Sequence, residues 1–184
     1  MRTDLFSELR AAAARVEQRH LDRLTALGIS GSTIAEMGLQ GPPIGVVRGV
    51  DVGAGLYEPG DGPECVVIPV HADGALIDLV AFRTDQPTRW RLRTGLGWAL
   101  GVDQIYVPSW DNEPLQVWRS PLDWLRNDAV GITVLDWDAP ELRDLLMVES
   151  IAADHDVGTR LLNILARPIR LPNLIVRKAV RHAA

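Results

Sequence analysis

Residues 65–83 read CVVIPVHADGALIDLVAFR. Two apolar, β-branched runs flank His71-Ala72-Asp73-Gly74, where the glycine supplies the positive φ that a tight hairpin turn requires. The stretch therefore predicts an antiparallel strand pair, and TRWRLRTG at 88–95 predicts a third strand continuing the same sheet. Upstream, residues 41–63 are rich in Gly and Pro and predict a loop with one strand around Gly45–Arg48. Before them, Leu5, Leu9, Ala12, Val16, Leu24 and Leu27 recur at helical spacing, with His20 on the same stripe. This predicts one amphipathic helix ended by Gly28. His20 reads as a packed histidine rather than a metal ligand. A short second helix follows, bounded by Ser32 and Gly38. It carries Glu36 and no Arg or Lys, so as a helix-turn-helix it has nothing to meet phosphates or base edges.

From Leu115 the pattern changes. LQVW predicts a strand, PLDWLRND a helix, GITVLDW a strand, APELRDLLM a helix, SIAAD a strand, VGTRLLNILA a helix and LPNLIV a last strand. Strands alternating with helices at this spacing imply a parallel sheet with helical crossovers. The expected organisation is a helical segment over 1–40, a β-rich subdomain over 41–107, an α/β subdomain over 108–176 and a basic tail over 177–184. The fold class is thus α+β, helices plus an antiparallel hairpin, followed by α/β.

Of the 184 residues, 47% are hydrophobic and 23% charged, the balance of a globular protein. No apolar run approaches the roughly 20 residues that cross a bilayer. The charged, periodic N-terminus has no apolar signal core, so a cytoplasmic protein without a membrane partner is expected. The single cysteine, Cys65, lies in an apolar run and reads as a structural thiol. Net charge is −5, yet from Arg160 onward there are basic residues and no acidic ones. An acidic body argues against non-specific nucleic-acid binding except where basic groups cluster.

One such cluster is Arg83, Arg89, Arg91 and Arg93 in FRTDQPTRWRLRTG. Alternate strand residues share a face, so Arg89, Arg91 and Arg93 point one way and could track phosphates, while Trp90 falls on the core side. Salt bridges to the acidic body are the competing role for these arginines. Parallel sheets place sites at the carboxyl ends of their strands. Those ends hold Arg119, a further candidate phosphate contact, then Asp136 and Asp138, then Asp154 and Asp156. Each D-x-D pair is a candidate Mg²⁺ ligand set, and each also suits a helix cap. No nucleophile triad, zinc spacing, P-loop or dinucleotide fingerprint is present.

The order of these elements resembles the core of bacterial and phage replicative primases. LGISGSTIAEMGL at 27–39 is similar to that family's R-G-I-s-x-x-t-I-x-x-f-G-L phrase. VVIPVHADGALIDLVAFR at 66–83 is similar to its hairpin, with Pro69, Gly74 and Arg83 in matching places. ALGVDQIYV at 99–107 is a looser match to the segment that leads into the catalytic Toprim domain. The resemblance implies a Toprim-like parallel sheet in which E-G-x-x-D and D-x-D-x-x-G hold Mg²⁺ for phosphoryl transfer. Here RSPLD at 119–123 keeps only Asp123, and DHDVGTR at 154–160 keeps Asp154 and Asp156, with Thr159 in the glycine's place.

Arg119 in the glutamate's place inverts the local charge and is expected to weaken the metal site or remove it. The expected alternative is an ion pair of Arg119 with Asp154 or Asp156. The reading implied is a primase-like protein of phage or mobile-element type with a degenerate Toprim domain. It would act without a cofactor, and bind single-stranded nucleic acid, a nucleotide or replication proteins. Two alternatives stand beside it. One is an active Mg²⁺-dependent nucleotidyl-transferase or nuclease using Asp136, Asp138, Asp154 and Asp156, with Asp154 and Asp156 as weak catalytic candidates. The other is a protein-interaction module presenting tryptophans such as Trp110 and Trp118.

Overall fold

The computed structural model describes residues 4–107 and 113–167. The expected last strand, the tail at 177–184 and Trp110 lie outside them. The N-terminal stripe forms two helices, α1 (Leu5–Ala13) and α2 (Gln18–Ala26), rather than one. The break comes from His20, whose Nδ1 accepts the Glu17 backbone N–H at 2.8 Å and so starts a new helix there. His20 is buried, and its Nε2 faces Glu64 Oε1 at 3.2 Å. α3 (Gly31–Met37) is capped by Ser30, whose hydroxyl accepts from the Thr33 N–H at 3.0 Å, so the helix starts earlier than the sequence pattern suggests.

Strands β1 (Gly45–Gly53), β2 (Leu56–Ala72), β3 (Ala75–Arg83) and β4 (Gln86–Leu92) form an antiparallel sheet in that order. The hairpin turn falls at Asp73–Gly74, both with positive φ. Residues 41–63 are mostly strand, not loop. Their glycines and prolines serve a turn at 53–55 and an irregularity where pairing steps from Arg48↔Glu64 to Gly49↔Pro59. A Cβ on Gly62 would overlap the Gly49 carbonyl, so the bulged strands touch there only because residue 62 is glycine. The bulge lets β2 coil until Leu56, at its start, pairs with Leu92 of β4.

The second sheet contains β5 (Ala99–Leu100), β6 (Leu115–Trp118), β7 (Ile132–Val134) and β8 (Ile151–Ala153), in the order β5-β7-β6-β8. β6 runs parallel to both β7 and β8, as the sequence implies, but β5 is antiparallel to β7 and makes the sheet mixed. α4 (Pro121–Arg126) and α5 (His155–Leu165) form as expected. Residues Pro140–Met147 wind as a 3₁₀ helix rather than an α-helix. The protein is therefore α+β, with an antiparallel four-stranded sheet and a separate mixed sheet carrying parallel strands.

The two sheets meet through α4. Val66, Ile68, Val80 and Phe82 from one face of the first sheet share a buried cluster with Leu122, Leu125 and Leu135. Trp90 joins this core, and its indole N–H donates to the Leu135 carbonyl at 3.1 Å. The other face of the first sheet, Val47, Val67, Leu79 and Ala81, lies under Leu9 of α1. An added Cβ on Gly45 would come within 2.5 Å of the Ala12 Cβ, so the close seat of α1 needs that glycine. α1 covers only part of this face.

Candidate functional site

The uncovered part of the α1 face is concave because β2 coils over it. A pocket of about 180 Å³ there is lined by residues that include Asp51, Tyr57, Cys65, Arg83, Arg89 and Arg91. The register Ala81↔Arg91 places Arg91 on this face, opposite the Trp90 core side, as strand alternation requires. The three strand arginines do not form one continuous row of free cations. Arg93 lies just past β4 and donates to Glu8 of α1 at 2.7 and 3.0 Å. Its side chain is only 17% exposed, so it pins α1 to the sheet and stays outside the groove.

The groove arginines are held more loosely. Arg91 pairs with Asp51, with side chains 38% and 52% exposed. Arg83 pairs with Asp85 through bonds of 2.9 and 2.6 Å, with side chains 42% and 47% exposed. Hydrogen bonding to these guanidiniums holds both carboxyls below their ordinary values. Arg89 is exposed and has no ion pair among the described residues. Cys65 is half-buried, and desolvation pushes its thiol up despite the coulombic pull of Arg83 and Arg91. It is therefore a lining group rather than a thiolate nucleophile.

Sequence reasoning missed the most heavily bonded carboxylate of the described residues. Asp78 is fully buried in β3. Its Oδ1 accepts from the N–H groups of Leu79, Arg93 and Thr94 at 2.7, 3.0 and 2.9 Å. Its Oδ2 accepts from Leu96 and Gly97 at 2.8 and 3.0 Å. One side chain thus organises the 93–97 loop that leaves β4. The available signal was an acid inside the apolar run ALIDLVAF, since carboxylates are almost never fully buried without partners.

At the mixed sheet, the topology brings the carboxyl ends of β6, β7 and β8 to one edge, with β6 in the middle. Arg119, Asp136 and Asp154 all leave the sheet there. The expected ion pair of Arg119 with Asp154 or Asp156 is not formed. Arg119 is 58% exposed and instead approaches Asp123 at 3.9 Å. Asp123 is itself engaged in starting α4: Ser120 Oγ accepts its N–H at 3.2 Å and donates to its Oδ2 at 2.7 Å. This is a capping exchange, so the acid that the sequence comparison set against the E-G-x-x-D pattern has a helix-starting role.

Asp136 Oδ1 accepts the Asp138 N–H at 2.9 Å, which folds the turn after β7. Asp154 precedes α5 without a side-chain cap, and both it and Asp156 are exposed. No group of three or more His, Cys, Asp or Glu able to hold a metal is found among the described residues. Arg160 of α5 stacks over Trp137 at 4.2 Å, tying α5 to the same turn. Trp118 is half-buried, its N–H given to the Val130 carbonyl at 2.6 Å.

Compared with protein-family models, with curated proteins and with solved structures, the chain matches none. No helix among the described residues is long and apolar enough to cross a membrane.

Proposed function

We propose that the chain is a primase-like protein with a degenerate Toprim-type sheet. In this reading it binds single-stranded nucleic acid or a nucleotide without polymerising, either alone or within a replication complex. The observation that carries the reading is the convergence of Arg83, Arg89 and Arg91 on one concave sheet face of an otherwise acidic protein. Guanidiniums suit phosphate because their planar donors pair with two oxygens at once. The Toprim part draws support from three parallel strands delivering Arg119, Asp136 and Asp154 to one edge, with the basic residue on the central strand. An exposed arginine there opposes a divalent cation and favours binding over catalysis.

The test is fluorescence anisotropy of a labelled oligothymidylate against the wild type and an Arg89→Ala/Arg91→Ala double variant. Wild-type binding should weaken with salt, and the double variant should lose on the order of tenfold in affinity at low salt as two phosphate-pairing cations are removed. Equal affinities for the two proteins would overturn the reading.

A further inference from the structure

Two of the three groove arginines are already occupied by carboxylates from neighbouring turns. Asp51 belongs to the end of β1, where its Oδ1 also accepts the Gly53 N–H at 2.9 Å. Asp85 sits in the β3–β4 turn, two residues from its partner Arg83. We infer that Asp51 within the groove, and Asp85 in the neighbouring pocket that shares Arg83 with it, hold in the free protein the guanidinium faces a phosphodiester would take, as internal competitors that it must displace. The inference rests on the reading that the groove binds nucleic acid, and it assigns the regulation of that same site.

Three observations carry it. First, a carboxylate and a phosphate present the same paired oxygens to a guanidinium, and Arg83 already uses both Asp85 oxygens. Second, these pairs are more exposed than Arg93–Glu8, so they exchange with an outside ligand while the Arg93 pair holds the fold. Third, Asp51 has a backbone partner, the Gly53 N–H, that does not involve Arg91, and Arg83 lines both the groove and the neighbouring pocket beside α2 where Asp85 lies. Arg89 is left as the first point of contact.

The experiment compares oligothymidylate binding by the wild type, Asp51→Asn, Asp85→Asn and the double variant. Glu36→Gln, at an exposed acid of α3, serves as a charge control. Asparagine keeps the acceptor for Gly53 while losing the charge. The double variant should bind about tenfold tighter, and its salt dependence should steepen by about 0.7 in log–log slope for each further phosphate neutralised. Glu36→Gln should change little. Unchanged affinity in the double variant, with Arg89→Ala/Arg91→Ala still weakened, would overturn the competitor role and leave the binding reading standing. An equal gain from Glu36→Gln would overturn it as a general charge effect. If no variant binds and the arginine variant matches the wild type, both fall together. Thermal melting of each variant separates altered binding from altered folding.

Discussion

The two sheets put their carboxylates to opposite uses. In the antiparallel sheet, Asp78 is fully buried and accepts five backbone N–H groups, so one side chain sets the path of the chain from Arg93 to Gly97. At the edge of the mixed sheet, Asp154 and Asp156 stand exposed beside the start of α5. A D-x-D pattern draws attention to the second pair, while the first residue has no motif around it. The energetic weight of an acid thus follows its burial and its donors, not the familiarity of its spacing.

The sharpest way to break that comparison is to remove the two kinds of acid in turn. Asp78→Ala would leave buried amides without an acceptor, and since each such loss costs about 1–3 kcal/mol, a total of at least about 4 kcal/mol is expected. Urea unfolding should show this directly, whereas Asp154→Asn and Asp156→Asn should each stay within about 0.5 kcal/mol of wild type. A mild Asp78→Ala variant would mean that the 93–97 loop is held by something else.

The join between the sheets comes next in size. Leu125 of α4 is fully buried in the cluster that spans both. Leu125→Ala should cost about 3 kcal/mol through lost burial and the cavity left behind. If the sheets share one core, fluorescence and circular dichroism should report a single shifted transition. Two separated transitions would show the sheets unfolding independently.

How much of this was legible in the sequence depends on which physics dominated locally. The hairpin at 65–83 could be read because alternation, β-branching and a glycine turn agree, and the strands past Leu115 could be read for similar reasons. The break between α1 and α2 could not, because it turns on one histidine accepting one backbone N–H. The long curl of β2 was hidden by glycines and prolines that read as loop but serve a bulge. At the candidate groove, the arginines were visible as a run. Their partners Asp51, Asp85 and Glu8 come from a turn and from other elements; the coiled sheet brings Asp51 close to Arg91, and the seating of α1 brings Glu8 close to Arg93. At the mixed-sheet edge, parallel pairing was implied by the pattern but the strand order was not, and the commitment of Asp123 to capping α4 depended on Ser120, which no metal-centred reading would weigh.

Arginine pairs sharpen the comparison on a smaller scale. Arg93–Glu8 is partly buried, and Arg93→Ala should cost about 1–2 kcal/mol, given that hydrogen bonds to charged groups contribute about 1.5–3 kcal/mol. Arg119→Ala, which removes an exposed contact at 3.9 Å, should move stability by less than about 0.5 kcal/mol. Comparable losses from both would contradict the distinction drawn between a structural arginine and a solvent-facing one.

The smallest effect concerns His71, at the end of β2 before the hairpin turn. Partial burial lowers its pKa from the ordinary 6.5, with Asp103 opposing the shift. A base whose folded pKa is depressed binds fewer protons in the folded state than in the unfolded one. Its contribution to stability is therefore complete above about pH 6.5 and declines as pH falls toward the folded pKa. The carboxyls of Asp51 and Asp85 are shifted below 3.8, so their contribution holds until the pH drops beneath that value. Urea midpoints measured between pH 7 and pH 5 should thus show a shallow fall that His71→Gln flattens. A slope unchanged in that variant would place the titrating group elsewhere.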